Sequence, residues 1–140
     1  MMRSQLPVSL AIIASAVAFP AAVSAQRPPE EIVVTGRFTR APANVRTLSQ
    51  AVGYADLDLS TAAGRNEMRH RINLTARFLC DKLGENNTSR AVVSCRDDAS
   101  RDALARLGTI EQSSAPRGTT WVRPPAWHAP YPADWEKKYP

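Results

Sequence analysis

Between residues 60 and 84, apolar side chains recur every three or four positions, which predicts a long amphipathic helix. The apolar positions are Met68, Ile72, Thr75, Ala76, Leu79 and Leu83. Ser60 and Thr61 suit the N-cap of this helix, and Gly84 opens the polar run that should end it. The more solvent-facing side of the helix carries Arg65, Arg69, Asn73 and Arg77. We therefore expect one buried stripe and one arginine-rich face.

A second, shorter helical pattern of small residues follows. It consists of Ala99, Ala103, Leu104 and Leu107. Ser94 and Asp97 stand at the spacing of a capping box, with Asp where Glu or Gln is more usual. Gly108 is expected to end this helix. The two patterns together predict an antiparallel helical hairpin.

Two β-like runs precede the helices. The first is Ile32 to Thr35, which Gly36 should end. The second alternates through Val52, Tyr54, Leu57 and Leu59 and slips phase once, as at a bulge or a strand end. We favour pairing between the two runs, while the alternative for the first is to add a strand to the sheet edge of a partner. The fold class expected is α+β: one or two short strands, then a two-helix hairpin, with flexible termini.

The N-terminal 25 residues have the pattern of an export signal. Arg3 supplies the positive start, an apolar run extends from Leu6 to Ala22, and Val23-Ser24-Ala25 forms a small-residue cleavage site. We expect cleavage after Ala25 and a periplasmic or secreted protein. The alternative is a retained membrane anchor; after removal of the signal we expect no transmembrane segment.

Composition divides the rest of the chain into three zones. Residues 26–49 are expected to form an N-terminal strand and a polar linker, and residues 50–110 the compact domain. Residues 111–140 hold six of the eleven prolines and all three tryptophans, a composition that favours a disordered tail. Aromatic side chains among prolines could contact glycans or a lipid surface, or they could fold back over the small core. Both alternatives stay open at this stage.

The formal net charge is +5, but charges of both signs are interspersed along the middle of the chain. Nucleic-acid binders concentrate basic side chains in a patch with aromatic platforms, so we expect no nucleic-acid partner. A solvated surface with some affinity for anionic envelope components fits better.

Cys80 and Cys95 are the only cysteines. They lie near the end of the first predicted helix and the start of the second, which an antiparallel hairpin brings together. A disulfide closing a loop of this size contributes about 3 kcal/mol, and export favours its formation. A metal site would need more ligands, and His70 and His128 are poorly placed to supply them. We therefore predict a Cys80–Cys95 disulfide.

Other candidate site residues are few. Asp56 and Asp58 could hold a hard cation or act as an acid–base pair, yet a metal site needs more oxygen ligands than these two. Their preferred role is structural, at the strand-to-helix junction, where a carboxylate can accept backbone hydrogen bonds. His70 is expected to be an exposed helical histidine. We assign no catalytic, cofactor-binding or metal-ligating residue, expect no cofactor, and do not expect an enzyme.

The middle zone resembles the UrcA family of small exported alphaproteobacterial proteins. The matching residues are Val52, Tyr54, Asp56, Leu57, Asp58, Leu59, Ser60, Gly64, Arg71, Ile72, Cys80 and Cys95. The resemblance implies an exported domain with this fold and disulfide, and it specifies no activity. The function we predict is a small non-enzymatic periplasmic or secreted protein, associated with the envelope or with stress, that binds a protein or an envelope component. The alternatives are a metal- or oxyanion-binding periplasmic protein, using Asp56, Asp58 and the arginine face, and an accessory or inhibitor of an envelope enzyme.

Overall fold

A computed structural model of the protein describes residues 29–39, 45–84 and 94–140. The elements follow the chain in the order β1 (Glu31–Thr39), β2 (Val45–Gly53), α1 (Ala62–Lys82), α2 (Cys95–Ser113) and a short α3 (Trp135–Lys138). The predicted export signal lies outside the described residues. The α+β class is confirmed, with a strand pair followed by a disulfide-linked helical pair.

The two strands form an antiparallel hairpin with a register that runs from Glu31 opposite Gly53 to Thr39 opposite Val45. Ile32, Val34 and Val52 point to one face of this sheet and are buried. The helices pack on that face: α1 contacts both strands, whereas α2 contacts β1. The core therefore lies between one sheet face and the helical pair.

The predicted strand bounds were wrong in two places. β2 begins at Val45, inside the segment expected to be a linker, and ends at Gly53 rather than continuing to Leu59. After Gly53 the chain turns, because the Leu57 N–H donates to the carbonyl of Tyr54 (3.0 Å). Leu57 and Leu59 are buried from this turn, so their alternate spacing imitates a strand.

Gly36 does not end β1 but lies within it. A Cβ at this position would come within 3.3 Å of the side chains of Leu79 and Leu83 on α1. Such contacts are tighter than ordinary van der Waals packing, so glycine permits the close approach of strand and helix.

The predicted first helix is confirmed in its stripe and both ends. Thr61 is the N-cap, and its hydroxyl accepts a hydrogen bond from the N–H of Gly64 (3.0 Å). Gly64 packs so closely on the preceding turn that a Cβ would overlap the carbonyl oxygen of Asp58. Gly84 follows the helix with a φ of 91°, the left-handed conformation that favours glycine after a helix end.

The second helix begins at the predicted N-cap, but it lacks the predicted capping bond and continues beyond its predicted end. Ser94 is its N-cap, but the Ser94 side chain makes no capping hydrogen bond. The helix also passes through Gly108 and ends at Ser113. A glycine in a helix interior costs about 1 kcal/mol, and two contacts beyond it favour continuation: Ile110 packs on the core and Glu111 pairs with Arg69.

The predicted disulfide between Cys80 and Cys95 is confirmed, with a Cα–Cα distance of 5.9 Å. Both residues are buried, together with Leu83. The bridge fixes the last turn of α1 against the first turn of α2.

None of the helices in the described ranges combines the length and apolar composition needed to cross a bilayer.

The C-terminal segment differs from the expected disordered tail. Residues 114–140 lie across the domain, and Arg117 anchors their beginning. Its guanidinium donates to both carboxylate oxygens of Glu30 (3.2 and 2.6 Å) and to the carbonyl of Leu57 (3.0 Å). Further along, Tyr131 and Trp135 pack edge-to-face on Phe78 of α1. Ion pairing and aromatic burial thus order a segment whose local composition predicts little regular structure.

Candidate functional site

Asp56, one of the two candidate carboxylates, forms a buried ion pair with Arg71. Two parallel hydrogen bonds of 2.8 and 2.7 Å join them, and the side chains are only 7% and 10% exposed. Arg71 also donates to the carbonyl of Gly53 (3.0 Å) and to Glu67 (3.0 Å), and its guanidinium lies 5.7 Å from the ring centroid of Trp127. The hydrogen bond from Arg71 holds the pKa of Asp56 below its ordinary value.

Asp58 is occupied by different donors. One oxygen accepts from the backbone N–H of Ser60 (3.0 Å) and from its hydroxyl (2.6 Å), while the other accepts from the N–H of Arg117 (3.4 Å). The bond from the Ser60 hydroxyl lowers the pKa of Asp58. Both carboxylates thus organise the turn before α1, in agreement with the structural role preferred from sequence. Over the described ranges, no three His, Cys, Asp or Glu side chains form a metal-binding group.

The arginine face of α1 divides into two parts. Arg65 donates to the carbonyl of Ser60 (2.7 Å), and Arg69 forms two bonds with Glu111 of α2 (2.8 and 2.9 Å). These two arginines therefore link the helix to its neighbours. Asn73 and Arg77 instead line a groove between α1 and α2.

This groove has a volume of about 890 Å³. Its lining combines basic, amide and hydroxyl side chains from α1, from the first half of α2 and from the chain's last residues. The polar lining residues are His70, Asn73, Arg77, Ser94, Arg96, Asp97, Ser100, Arg101 and Tyr139. Among the charged side chains of the lining, three are arginines and one is an aspartate, so the side chains give the groove a net positive charge. Arg77 lies over the ring of Tyr139 at 5.0 Å, so the C-terminal segment forms one wall.

The groove is suited to an anionic group. A guanidinium presents a planar fork of N–H donors that matches phosphate and carboxylate oxygens. Hydroxyl and amide side chains beside it can add further hydrogen bonds. The first turn of α2 also opens here, and the positive end of a helix dipole favours negative charge. The groove therefore offers hydrogen-bond donors for an anion, and its volume lies within the range typical of small-ligand sites.

Only part of this groove was predicted from the sequence. His70 was expected on an exposed helix face; it is partly buried at the groove wall, while Arg101 and Tyr139 were not assigned to any site. The sequence does carry a signal for the groove, which is the helical spacing of its lining residues. Positions 70, 73 and 77 share one side of α1, and positions 97, 101 and 104 share one side of α2. The disulfide then determines that these two sides meet.

Trp127 and Trp135 of the C-terminal segment fold back on the domain, as one of the two sequence alternatives proposed. The ring of Trp127 covers Gly53 and Arg71, and the centroid of the Trp121 ring lies 5.2 Å from the guanidinium of Arg117 and 5.8 Å from that of Arg123. These aromatic rings therefore contact other residues of the same chain.

No family model, no curated protein and no solved structure matches this chain. Its function must therefore be argued from its own residues.

Proposed function

We propose that this protein is a small exported, non-enzymatic binding protein of the UrcA type that holds an anionic group of an envelope component in the groove between α1 and α2. The observation that carries the proposal is the convergence of Arg77, from α1, with Arg96 and Arg101, from α2, on one groove. Donors from two elements around one concavity are typical of a binding site rather than of a merely solvated helix face.

The disulfide supports this proposal in two ways. It joins the helices beside the groove, so the donors are held before a ligand arrives, and preorganisation of this kind improves affinity. Disulfides also persist in oxidising compartments, which supports export together with the N-terminal signal pattern. The resemblance of the middle zone to the UrcA family points to the same compartment.

The donor set defines the class of ligand. Guanidinium, amide and hydroxyl groups bind the oxygens of phosphate or carboxylate, and an aromatic ring at Tyr139 offers a flat surface beside them. We therefore propose an anionic group carried on a polar scaffold, such as a phosphorylated or carboxylated saccharide of the envelope. Binding rather than catalysis is proposed because the groove's lining is a set of donors for a charged ligand.

Calorimetry with glucosamine 1-phosphate as the probe tests this function, with glucosamine, which carries the same amine but no phosphate, as the control. Arg77→Gln and Arg101→Gln should each weaken binding about tenfold, because each removes a charge-assisted contact. Arg106→Gln is the matched control, since Arg106 lies on the same helix and pairs at the surface with Asp102. Equal losses in all three variants, or no heat with the phosphorylated probe, would contradict the proposal.

A further inference from the structure

Along the outer edge of β1, several backbone groups have no backbone partner among the described residues. The N–H of Tyr54 donates to the carbonyl of Glu30 (2.8 Å), which identifies a hydrogen-bonded pair at the end of the ladder. Hydrogen-bonded and non-bonded pairs alternate in an antiparallel sheet. The non-bonded pairs therefore begin with Glu31 and Gly53 and recur at every second position, through Val33 with Ala51, Thr35 with Ser49 and Arg37 with Thr47, to Thr39 with Val45. Their N–H and C=O groups point away from the partner strand.

On β1 the Glu31 N–H donates to the carbonyl of Pro29 (3.0 Å), and the outward groups of Val33, Thr35 and Arg37 have no backbone partner within the part of the chain that the structure describes. The outer edge of β2 is different near its end. The carbonyl of Gly53 accepts from Arg71 (3.0 Å), and that of Ala51 accepts from the Gln50 side chain (3.1 Å). The Trp127 ring also packs so close that a Cβ at Gly53 would lie 2.9 Å from it. The β2 edge is thus covered by the protein itself, whereas no described residue pairs with the outward groups of β1 from Val33 to Arg37, and we call this the open edge.

The open edge carries two opposite charges. Glu31 and Arg37 are exposed and point to the face away from the helices. Neither forms an ion pair with a described residue. Val33 lies between them, 39% exposed. An added antiparallel strand would satisfy both charges if it placed a basic residue opposite Glu31 and an acidic residue opposite Arg37.

We propose that the edge of β1 binds an extended peptide segment of another protein as a third, antiparallel strand. The segment would carry an acidic residue followed, six positions later, by a basic one. Main-chain hydrogen bonds supply affinity in this mode of recognition, and alternate side chains supply specificity. The site is separate from the groove, so either proposal can fail without the other.

A lone strand fits this edge better than a second copy of the chain. Two copies joined antiparallel through β1 would be related by an axis perpendicular to the sheet, so their helices would lie on the same side. Because α2 packs on β1, the two α2 helices would then meet directly above the joined edges. A single peptide brings no second helix, so this clash above the joined edges does not arise.

Fluorescence anisotropy with two labelled peptides tests the proposal. The matched peptide is Glu-Val-Thr-Val-Thr-Val-Lys, and the exchanged peptide is Lys-Val-Thr-Val-Thr-Val-Glu. We expect the wild-type protein to bind the matched peptide about tenfold more tightly, because the exchange turns two attractive cross-strand pairs into repulsive ones. The double variant Glu31→Lys with Arg37→Glu should reverse the preference. Equal affinity for the two peptides, or no binding of either, would overturn the proposal.

Two proline variants locate the edge. Thr35→Pro deletes an outward N–H on β1, and Ser49→Pro deletes the corresponding N–H on β2. They are matched because the two residues are opposite in register and share one hydroxyl–hydroxyl hydrogen bond of 2.9 Å. Binding should be lost in Thr35→Pro and kept in Ser49→Pro, and the reverse result excludes the β1 edge. If circular dichroism shows that Thr35→Pro is unfolded, the charge reversal alone decides. A dimer in equilibrium sedimentation that Arg37→Glu dissociates would overturn the choice of a peptide as occupant.

Discussion

Replacing Asp56 by Asn should destabilise the protein severely, because it leaves the guanidinium of Arg71 buried beside a neutral amide. The Asp56 and Arg71 side chains are 7% and 10% exposed and are joined by two short hydrogen bonds. Removing one partner of a buried ion pair costs about 3–5 kcal/mol. In a domain of this size that loss lowers the melting temperature by roughly 12 °C or more.

The assay is thermal and urea unfolding of the oxidised protein, followed by circular dichroism. Asp102→Asn is the matched control, since Asp102 pairs with Arg106 at the surface, where the side chains are 62% and 59% exposed. An exposed pair is worth about 1 kcal/mol at most, so the control should melt close to wild type.

A double-mutant cycle shows whether the loss belongs to the pair. Arg71→Met should cost less than Asp56→Leu, because the buried carboxylate that remains in Arg71→Met can protonate, whereas an arginine cannot lose its charge. In the double variant Asp56→Leu with Arg71→Met, an apolar pair replaces two buried charges. Its loss of unfolding free energy should therefore be smaller than the sum of the two single losses by at least about 2 kcal/mol. Additive losses would refute the reasoning.

The same pair predicts an acid-sensitive contribution to stability. The pKa of Asp56 is lowered from its ordinary 3.8, so the unfolded chain takes up the proton first. The stabilisation is therefore present above about pH 4 and is lost as the pH falls through the folded-state pKa. In Asp56→Asn, this part of the acid dependence should disappear from a plot of unfolding free energy against pH.

Three further changes test the framework around the groove. Gly64→Ala should lower the unfolding free energy by about 1–3 kcal/mol, because the added methyl group overlaps the carbonyl of Asp58. Urea unfolding measures this loss, and an unchanged midpoint would contradict the close packing of Gly64 on Asp58. Replacing both Cys80 and Cys95 by Ser should lower the unfolding free energy by about 3 kcal/mol, since the disulfide closes a loop with a sequence separation of 15. Added reductant should destabilise the wild-type protein and leave the Ser variant unchanged. Arg117→Gln should make the C-terminal segment sensitive to trypsin at low enzyme concentration, because its anchor on Glu30 is lost; unchanged resistance would show that the aromatic contacts suffice.

The helices and the disulfide were predictable because local rules determine them. The stripe of α1, its N-cap at Thr61 and the glycine after its end follow from spacing and capping preferences that act within a few residues. Cys80 and Cys95 were paired from their places on the two predicted helices. Where tertiary contacts act, the same rules failed: α2 continues past Gly108 because Glu111 is held by Arg69.

The strand bounds and the C-terminal segment could not be predicted, for a related reason. Leu57 and Leu59 are buried from a turn, which a two-residue alternation cannot distinguish from a strand. The segment after α2 is ordered by an arginine that reaches Glu30, 87 positions earlier in the chain. No local pattern reports a contact of that range. The groove was missed similarly, since its donors come from separate elements that only the folded hairpin brings together.

The most direct test of the proposed function is to locate where an anionic ligand binds. We suggest titrating the isotopically labelled protein with glucosamine 1-phosphate and monitoring the backbone amide chemical shifts by NMR. We expect saturable shifts concentrated on residues 70–77 and 94–101, on both sides of the groove, and smaller shifts in Arg77→Gln. Shifts spread evenly over the basic surface, or confined to another part of the molecule, would contradict it.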